Sequence, residues 1–262
     1  MTDVLLTERD ARGVVTLTMN RPDRHNAMNA ELIAALAEAA AAIEADASVR
    51  VVVLAGAGRS FSAGGDLAWM RAQAAADRAG RIAEATRLAS MLGALDRLSR
   101  PLIARVHGAA YGGGLGLMAV ADASIVANEA RFALTEVKLG LIPATIGPYV
   151  VPRLGRARAR EVFFSGQGFG AADAVRLGLA AEAVDPGDLD AAVEARLAPY
   201  LAAAPGAVAA AKDMVQRLAP GPDAAKVAAS IEALADRWET PEATEGIEAF
   251  FARRSPSWGC DT

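Results

Sequence analysis

Apolar and polar positions fall into two regimes along this chain. In the first, short apolar runs alternate with longer helical ones. Residues 13–22, GVVTLTMNRP, alternate and are β-branched, which predicts a strand that Pro22 ends. RPDRHNAMN reads as a loop, and Asn29 as the N-cap of an alanine-rich helix, AELIAALAEAAAAIEAD. Residues 49–58, VRVVVLAGAG, are apolar without alternation, as expected of a strand buried on both faces. RSFSAGGDLAWM is the next loop, with Asp66 placed to cap or charge the start of a helix. A helix is expected over 80–98, and Pro101 introduces a third buried strand, PLIARVHG. YGGG then opens another helix, and ASIVANEARFALTEV reads as two short strands. Beyond about residue 186 the pattern is helical throughout, punctuated by Pro205, the PGP at 220–222 and Pro241. This order predicts an α/β core over 1–195 and a helical C-terminal region over 196–262. No sequence repeat is visible, and alanine bias is the only compositional skew.

Composition narrows the classes of function. A chain of 262 residues, 53% hydrophobic and 22% charged, can bury a full core without staples. Its net charge of −4 is the wrong sign for a nucleic-acid domain. The one cysteine, Cys260, sits three residues from the end and is expected to be an inert tail thiol. The two histidines, His25 and His107, show no metal-ligand spacing, so no metal is expected. The N-terminus has no apolar segment of signal-peptide length, and Gly108–Ala121 is too short to span a bilayer. A cytoplasmic protein with no membrane partner is therefore expected.

Two glycine-rich loops carry the candidate chemistry. GLGLMA at 114–119 satisfies a G-x-G-x-x-A pattern, with Glu136 as the acid beyond it. Yet HGAAYGG separates Val106 from Gly114, where the fingerprint needs a glycine directly at the strand end. The acid is also misplaced, which leaves a dinucleotide-binding oxidoreductase as a remote alternative. The other reading pairs FSAGGD (61–66) with YGGG (111–114), each between a buried strand and a helix. Two such loops can each aim a backbone N–H at a shared carbonyl oxygen, an oxyanion hole. Tight strand-to-helix turns would produce the same glycines, and the pattern alone leaves both open. Glu136, alone in a mostly apolar stretch, is a candidate acid or base, unless Lys138 or a nearby Arg pairs it.

With both loops in place, the sequence resembles the enoyl-CoA hydratase/isomerase (crotonase) family. NRPDRHNAMN, VVVLAGAGRSFSAGGDL, ARVHGAAYGGGLGLMAVADASIVANEARFALTEVKLGLIPATIG and EGIEAFFARRSPSW carry the likeness, in that order along most of the chain. The resemblance implies a ClpP/crotonase-like fold of repeated ββα units. It implies an acyl thioester of coenzyme A as substrate, with no separate cofactor. The thioester carbonyl would be held by the N–H groups of Ala63 and Gly113. Gly64, Gly65, Asp66 and Gly112 would border the same ester, Asp66 fixing the first loop. The nucleotide end of CoA would lie along Arg24 to Ala27. A homotrimer or hexamer is implied, in which Phe250 with Arg253 or Arg254 approaches CoA on a neighbouring subunit, the C-terminal region also covering the active site. Glu136 falls on the catalytic glutamate. Many hydratases have a second glutamate where this chain has Gly116, and the glycine is expected to leave packing room, or space for a water or a branched acyl group. The nearest likeness is to bacterial hydratases of methylglutaconyl-type CoA esters in leucine or isoprenoid breakdown. Hydration of a 2-enoyl-CoA by a single glutamate is the leading expectation. Double-bond isomerisation by the same residue is the alternative, and an inactive CoA-binding protein a remote one.

Overall fold

The computed structural model describes residues 3–219 and 221–259; Cys260 and Pro220 lie outside them. The chain opens with a hairpin, β1 (Leu5–Arg9) and β2 (Val14–Met19), whose turn is tied by the Asp10 side chain accepting from the Arg12 and Val14 N–H groups. Helix α1 (Ala30–Ala45) starts at Asn29, whose side chain accepts from the Leu32 N–H. Then come β3 (Val51–Gly56), α2 (Leu67–Ala75), α3 (Arg78–Asp96), β4 (Leu102–Val106), β5 (Ala109–Tyr111) and α4 (Gly113–Val120). β6 (Ala123–Ala127) and β7 (Arg131–Ala133) lead into a 3-10 turn at Glu136–Leu139. Past it lie α5 (Gly147–Leu154), α6 (Arg156–Phe163), β8 (Phe169–Gly170), α7 (Ala171–Leu177) and β9 (Glu182–Val184). Four helices complete the described chain: α8 (Leu189–Ala202), α9 (Pro205–Leu218), α10 (Ala224–Trp238) and α11 (Pro241–Ala252).

The main sheet has six strands in the order β1-β2-β3-β4-β6-β9, parallel except for the β1–β2 hairpin. β3 is buried at every position because both faces of the sheet are covered. Val51 and Val53 face Leu189, Val193 and Leu197 of α8. Val52 and Leu54 alternate into the larger core with Leu32 and Leu36 of α1 and Leu92 and Leu95 of α3. β5, β7 and β8 form a second, three-stranded sheet. Thus β4, β5 and α4 make a strand–strand–helix unit in which the chain leaves one sheet for the other just before the glycines.

Helix α8 spans residue 195 and belongs to the cover of the main sheet. The later helices return to the front of the α/β part. Ile231 of α10 packs on Ala85 and Ala89 of α3, and Ala243 and Ile247 of α11 pack beside Leu139 and Leu141. Among the described residues, no helix is long and apolar enough to cross a membrane.

Candidate active site

Three chain segments lie side by side at the front of the sheet. Met28 N–H donates to the Gly64 carbonyl at 2.7 Å, and Asp66 N–H to the Met28 carbonyl at 2.9 Å. Ser62 N–H donates to the Ala109 carbonyl at 3.0 Å, and Tyr111 N–H to the Ser62 carbonyl at 2.9 Å. The 26–28, 62–66 and 109–113 segments are thereby stitched into one rigid edge. Buried Asn26 holds the first of them: its Oδ1 accepts from the Arg21 N–H, and its Nδ2 donates to the Ala57 and Ser60 carbonyls. These bonds offset the left-handed backbone of His25 and Asn26, at φ 50° and 52°. Asp66 caps α2 by accepting from the Ala68 and Trp69 N–H groups, and accepts from Arg21 at 2.9 Å. Burial pushes its carboxyl up, but Arg21 and the two N–H groups prevail and hold it below the usual carboxylate range.

The second loop is shaped by Gly112, at φ 46° and ψ −112°, a conformation that disfavours any side chain. A Cβ there would also sit 2.9 Å from Glu136 Oε1. Gly112 N–H donates to the Ala133 carbonyl at 3.0 Å, so it is not free. Gly113, the first residue of α4, has an N–H with no hydrogen bond among the described residues. That N–H lies at the positive end of the helix. A Cβ on Gly113 would collide with Met28 Cε.

Ala63 does not fill the role expected of it. Its N–H already donates to the His25 carbonyl at 2.9 Å, and Ala63 borders an outer groove, not the inner cavity. Gly65 has an N–H with no partner among the described residues, and it lines the cavity with Gly113 and Glu136. The pair of N–H groups available to a carbonyl oxygen is therefore Gly65 and Gly113.

Glu136 enters the cavity from the first position of the 3-10 turn. Its Oε2 is buried without a hydrogen-bond partner. Burial pushes the carboxyl up to about 7, with only its own backbone hydrogen bond opposing. Lys138, the alternative structural partner, is exposed and packs beneath Gly166. A buried unpaired carboxyl is costly to keep and suits a proton-transfer group that works near neutral pH.

Gly116 leaves no space. A Cβ there would be 2.6 Å from Ile146 Cγ2 and 3.5 Å from Leu92 Cδ1. Ile146, which precedes α5, is buried and lines the cavity. The expected room for a water or a branched acyl group beside Gly116 is thus filled by Ile146, and the glycine serves packing. Gly116→Ala should lower stability by about 1–3 kcal/mol through overpacking. Ile146→Ala should cost less stability in the Gly116→Ala chain than in the wild type, a coupling read by urea denaturation.

The cavity is small, about 130 Å³, and mostly apolar, with Met28, Ile33, Met70, Leu88 and Leu141 on its walls. Leu234 and Trp238 of α10 also line it, which the sequence pattern did not reveal. It adjoins an open groove of about 930 Å³, the two sharing Gly65 and Trp69. Arg24, Ala27, Ala63, Asp66 and Arg71 border that groove. Phe250 is half-exposed on α11 and borders neither space in its own chain. Arg254 is held by Glu245 at 2.6 and 2.8 Å, and Arg253 ends α11 in a left-handed conformation. Among the described residues, no group of three or more His, Cys, Asp or Glu side chains is placed to hold a metal ion.

This arrangement, two unpartnered N–H groups and a neutral-range carboxyl facing one apolar cavity with a charged groove outside, can hold an enolate and move a proton beside it. Comparison with known proteins places it. The enoyl-CoA hydratase/isomerase family model matches residues 9–261. A protein of Mycobacterium bovis named probable enoyl-CoA hydratase echA12 is 35% identical over 274 residues, covering 99% of this chain and 94% of its own length. The structure of an enoyl-CoA hydratase of Mycobacterium smegmatis is similar at 38% identity and a TM-score of 0.80, covering 97% of this chain and 98% of that one. An enoyl-CoA hydratase of Mycobacterium avium matches at a TM-score of 0.88 and 29% identity, over 99% of this chain and all of its own. The chain belongs to the enoyl-CoA hydratase/isomerase family and is an enzyme with the crotonase fold.

Proposed function

We propose that this enzyme adds water to the double bond of a 2-enoyl thioester of coenzyme A, with Glu136 as its single carboxylate. The observation that carries the reading is the buried, unpartnered Glu136 carboxyl in one cavity with the free N–H groups of Gly65 and Gly113. The thioester carbonyl accepts from both N–H groups. As the water oxygen bonds to the β-carbon, the π pair of the alkene moves through the α-carbon onto the carbonyl oxygen, giving an enolate. The water proton passes to Glu136, which returns it to the α-carbon as the enolate collapses. One carboxylate, ionised at the start of the cycle and protonated after the first transfer, suffices for both. The CoA nucleotide follows the outer groove along Arg24 to Ala27, with Asp66 rigidifying the loop between groove and cavity. CoA is part of the substrate, and no metal or separate cofactor is required. In a trimer or hexamer, Phe250 of one copy would meet CoA on the next.

The acyl group we propose is short and uncharged. A methylglutaconyl-type ester carries a free carboxylate, whereas among the described residues Glu136 is the one ionisable side chain on the cavity wall and no Lys, Arg or His lines it. Burying a second carboxylate beside it without a cation is unfavourable. The volume of about 130 Å³ also favours few carbons. Isomerisation of a 3-enoyl to a 2-enoyl ester is the second reading, favoured by the single carboxylate and by Ile146 occupying the space beside Gly116. A substrate panel separates these. Crotonyl-CoA and an uncharged methyl-branched 2-enoyl-CoA should lose their conjugated thioester absorbance on hydration, and 3-methylglutaconyl-CoA should react at least about tenfold more slowly. Gain of absorbance from a 3-enoyl ester, with no loss from any 2-enoyl ester, would replace hydration by isomerisation.

A further inference from the structure

Thr145 stands out among the cavity residues. Most of the wall is apolar, and its side-chain polar groups are Glu136, Thr145 and two indoles. The Trp69 indole N–H already donates to Glu84 at 3.2 Å, and the Trp238 ring lies under Arg81. Thr145 is 6% exposed and lines the cavity, and its hydroxyl makes no hydrogen bond among the described residues but keeps some accessible surface. A hydroxyl with no partner among the described residues, on an otherwise apolar wall, is free to hydrogen-bond to a molecule that enters the cavity. Valine has nearly the same shape and would line the pocket without offering such a group.

A water confined in an apolar space needs two to four polar partners to be held in one orientation. Glu136 supplies one acceptor. Thr145 directly precedes Ile146, the residue that fills the space beside Gly116. We propose that the Thr145 hydroxyl is the second anchor of the water that adds to the substrate, and is therefore a positioning residue for hydration. The inference rests on the hydratase reading above. A hydroxyl both donates and accepts, so Thr145 can hold the water through the step in which its proton leaves for Glu136. Proton shuttling for isomerisation would not need it.

The test is Thr145→Val against Thr145→Ser, assayed with whichever uncharged 2-enoyl-CoA the wild-type enzyme hydrates. Thr145→Val should lower kcat by about ten- to a hundredfold with KM within about threefold. Thr145→Ser should keep kcat within about threefold, and the acid limb of the pH profile should stay where Glu136 puts it in both. Thermal midpoints check folding, and Thr145→Ala replaces the valine variant if that one does not fold. An unchanged kcat in Thr145→Val overturns the proposal. So does an equal loss in the valine and serine variants, which would mark a packing role, or a change confined to KM, which would mark acyl binding. If the wild-type enzyme hydrates no enoyl thioester, the hydratase reading fails and this inference falls with it, an outcome visible before any variant is made.

Discussion

Glu136→Gln is expected to lower kcat for hydration by about a hundred- to ten-thousandfold while CoA-ester affinity stays within a few-fold. The amide keeps the size of the carboxyl but can neither take the water proton nor return it. An unchanged turnover would remove Glu136 from the mechanism. The wild-type enzyme should also show a pH signature that the variant lacks. Burial sets the carboxyl near 7 in the folded protein, against its usual 4.5. The catalytic cycle begins from the ionised form, which takes the water proton, so kcat/KM should rise as pH increases through about 7. Stability runs the other way. The unfolded chain loses this proton near 4.5 and the folded chain near 7, so between them the folded state binds more protons. The contribution is favourable at low pH, declines between these values and is level above them. Thermal midpoints of wild type and Glu136→Gln should therefore converge below about pH 4.5, and the variant should be the more stable above pH 7. An enzyme that gains stability on losing its acid-base group has held that group at a cost, as expected of a functional site.

The sheet and the loops were legible because their signals are local. The unbroken apolar run 51–56 marks a strand covered on both faces, and Asn29 and Asp66 mark helix starts by side-chain chemistry alone. The two short strands in ASIVANEARFALTEV form as read, with Glu136 displaced into a 3-10 turn beyond them. What was not legible depends on contacts between distant segments. FSAGGD offers several backbone donors in a row, and nothing in the string says that Ala63 is taken by the His25 carbonyl while Gly65 is left free. Gly116 looks like empty space until Ile146, thirty positions on, is found within contact distance of the missing Cβ. Leu234 and Trp238 read as ordinary helix positions, and become cavity wall because α10 packs back on α3 and α5. β1 carries little strand signal because only Leu5 and Leu6 of LLTER are apolar, and an edge strand tolerates charges on its exposed side.

Replacing Gly65 separates the donor from the space around it. A Cβ on Gly65 would meet Met70 Cγ at 3.5 Å and Trp69 Cε3 at 3.7 Å, ordinary van der Waals contacts. Gly65→Ala should therefore fold normally and keep kcat within a few-fold, since the N–H remains. Gly65→Pro removes the N–H and should lower kcat by about a hundred- to a thousandfold, the usual effect of losing one oxyanion donor. Among the described residues no hydrogen bond is lost with that N–H, so a fall in the thermal midpoint reports the fit of the ring and the restriction it places on Gly64. Affinity for a saturated acyl-CoA, which forms no enolate, should change less than kcat. Ala63→Pro should behave differently. It breaks the bond to the His25 carbonyl and should loosen the stitched loops, lowering stability as well as activity. If Gly65→Pro hydrates as fast as Gly65→Ala, the oxyanion is not held at Gly65, and Gly113 at the start of α4 would have to hold it alone. That outcome is hard to reconcile with two unpartnered N–H groups meeting beside a carboxyl that lacks a partner of its own.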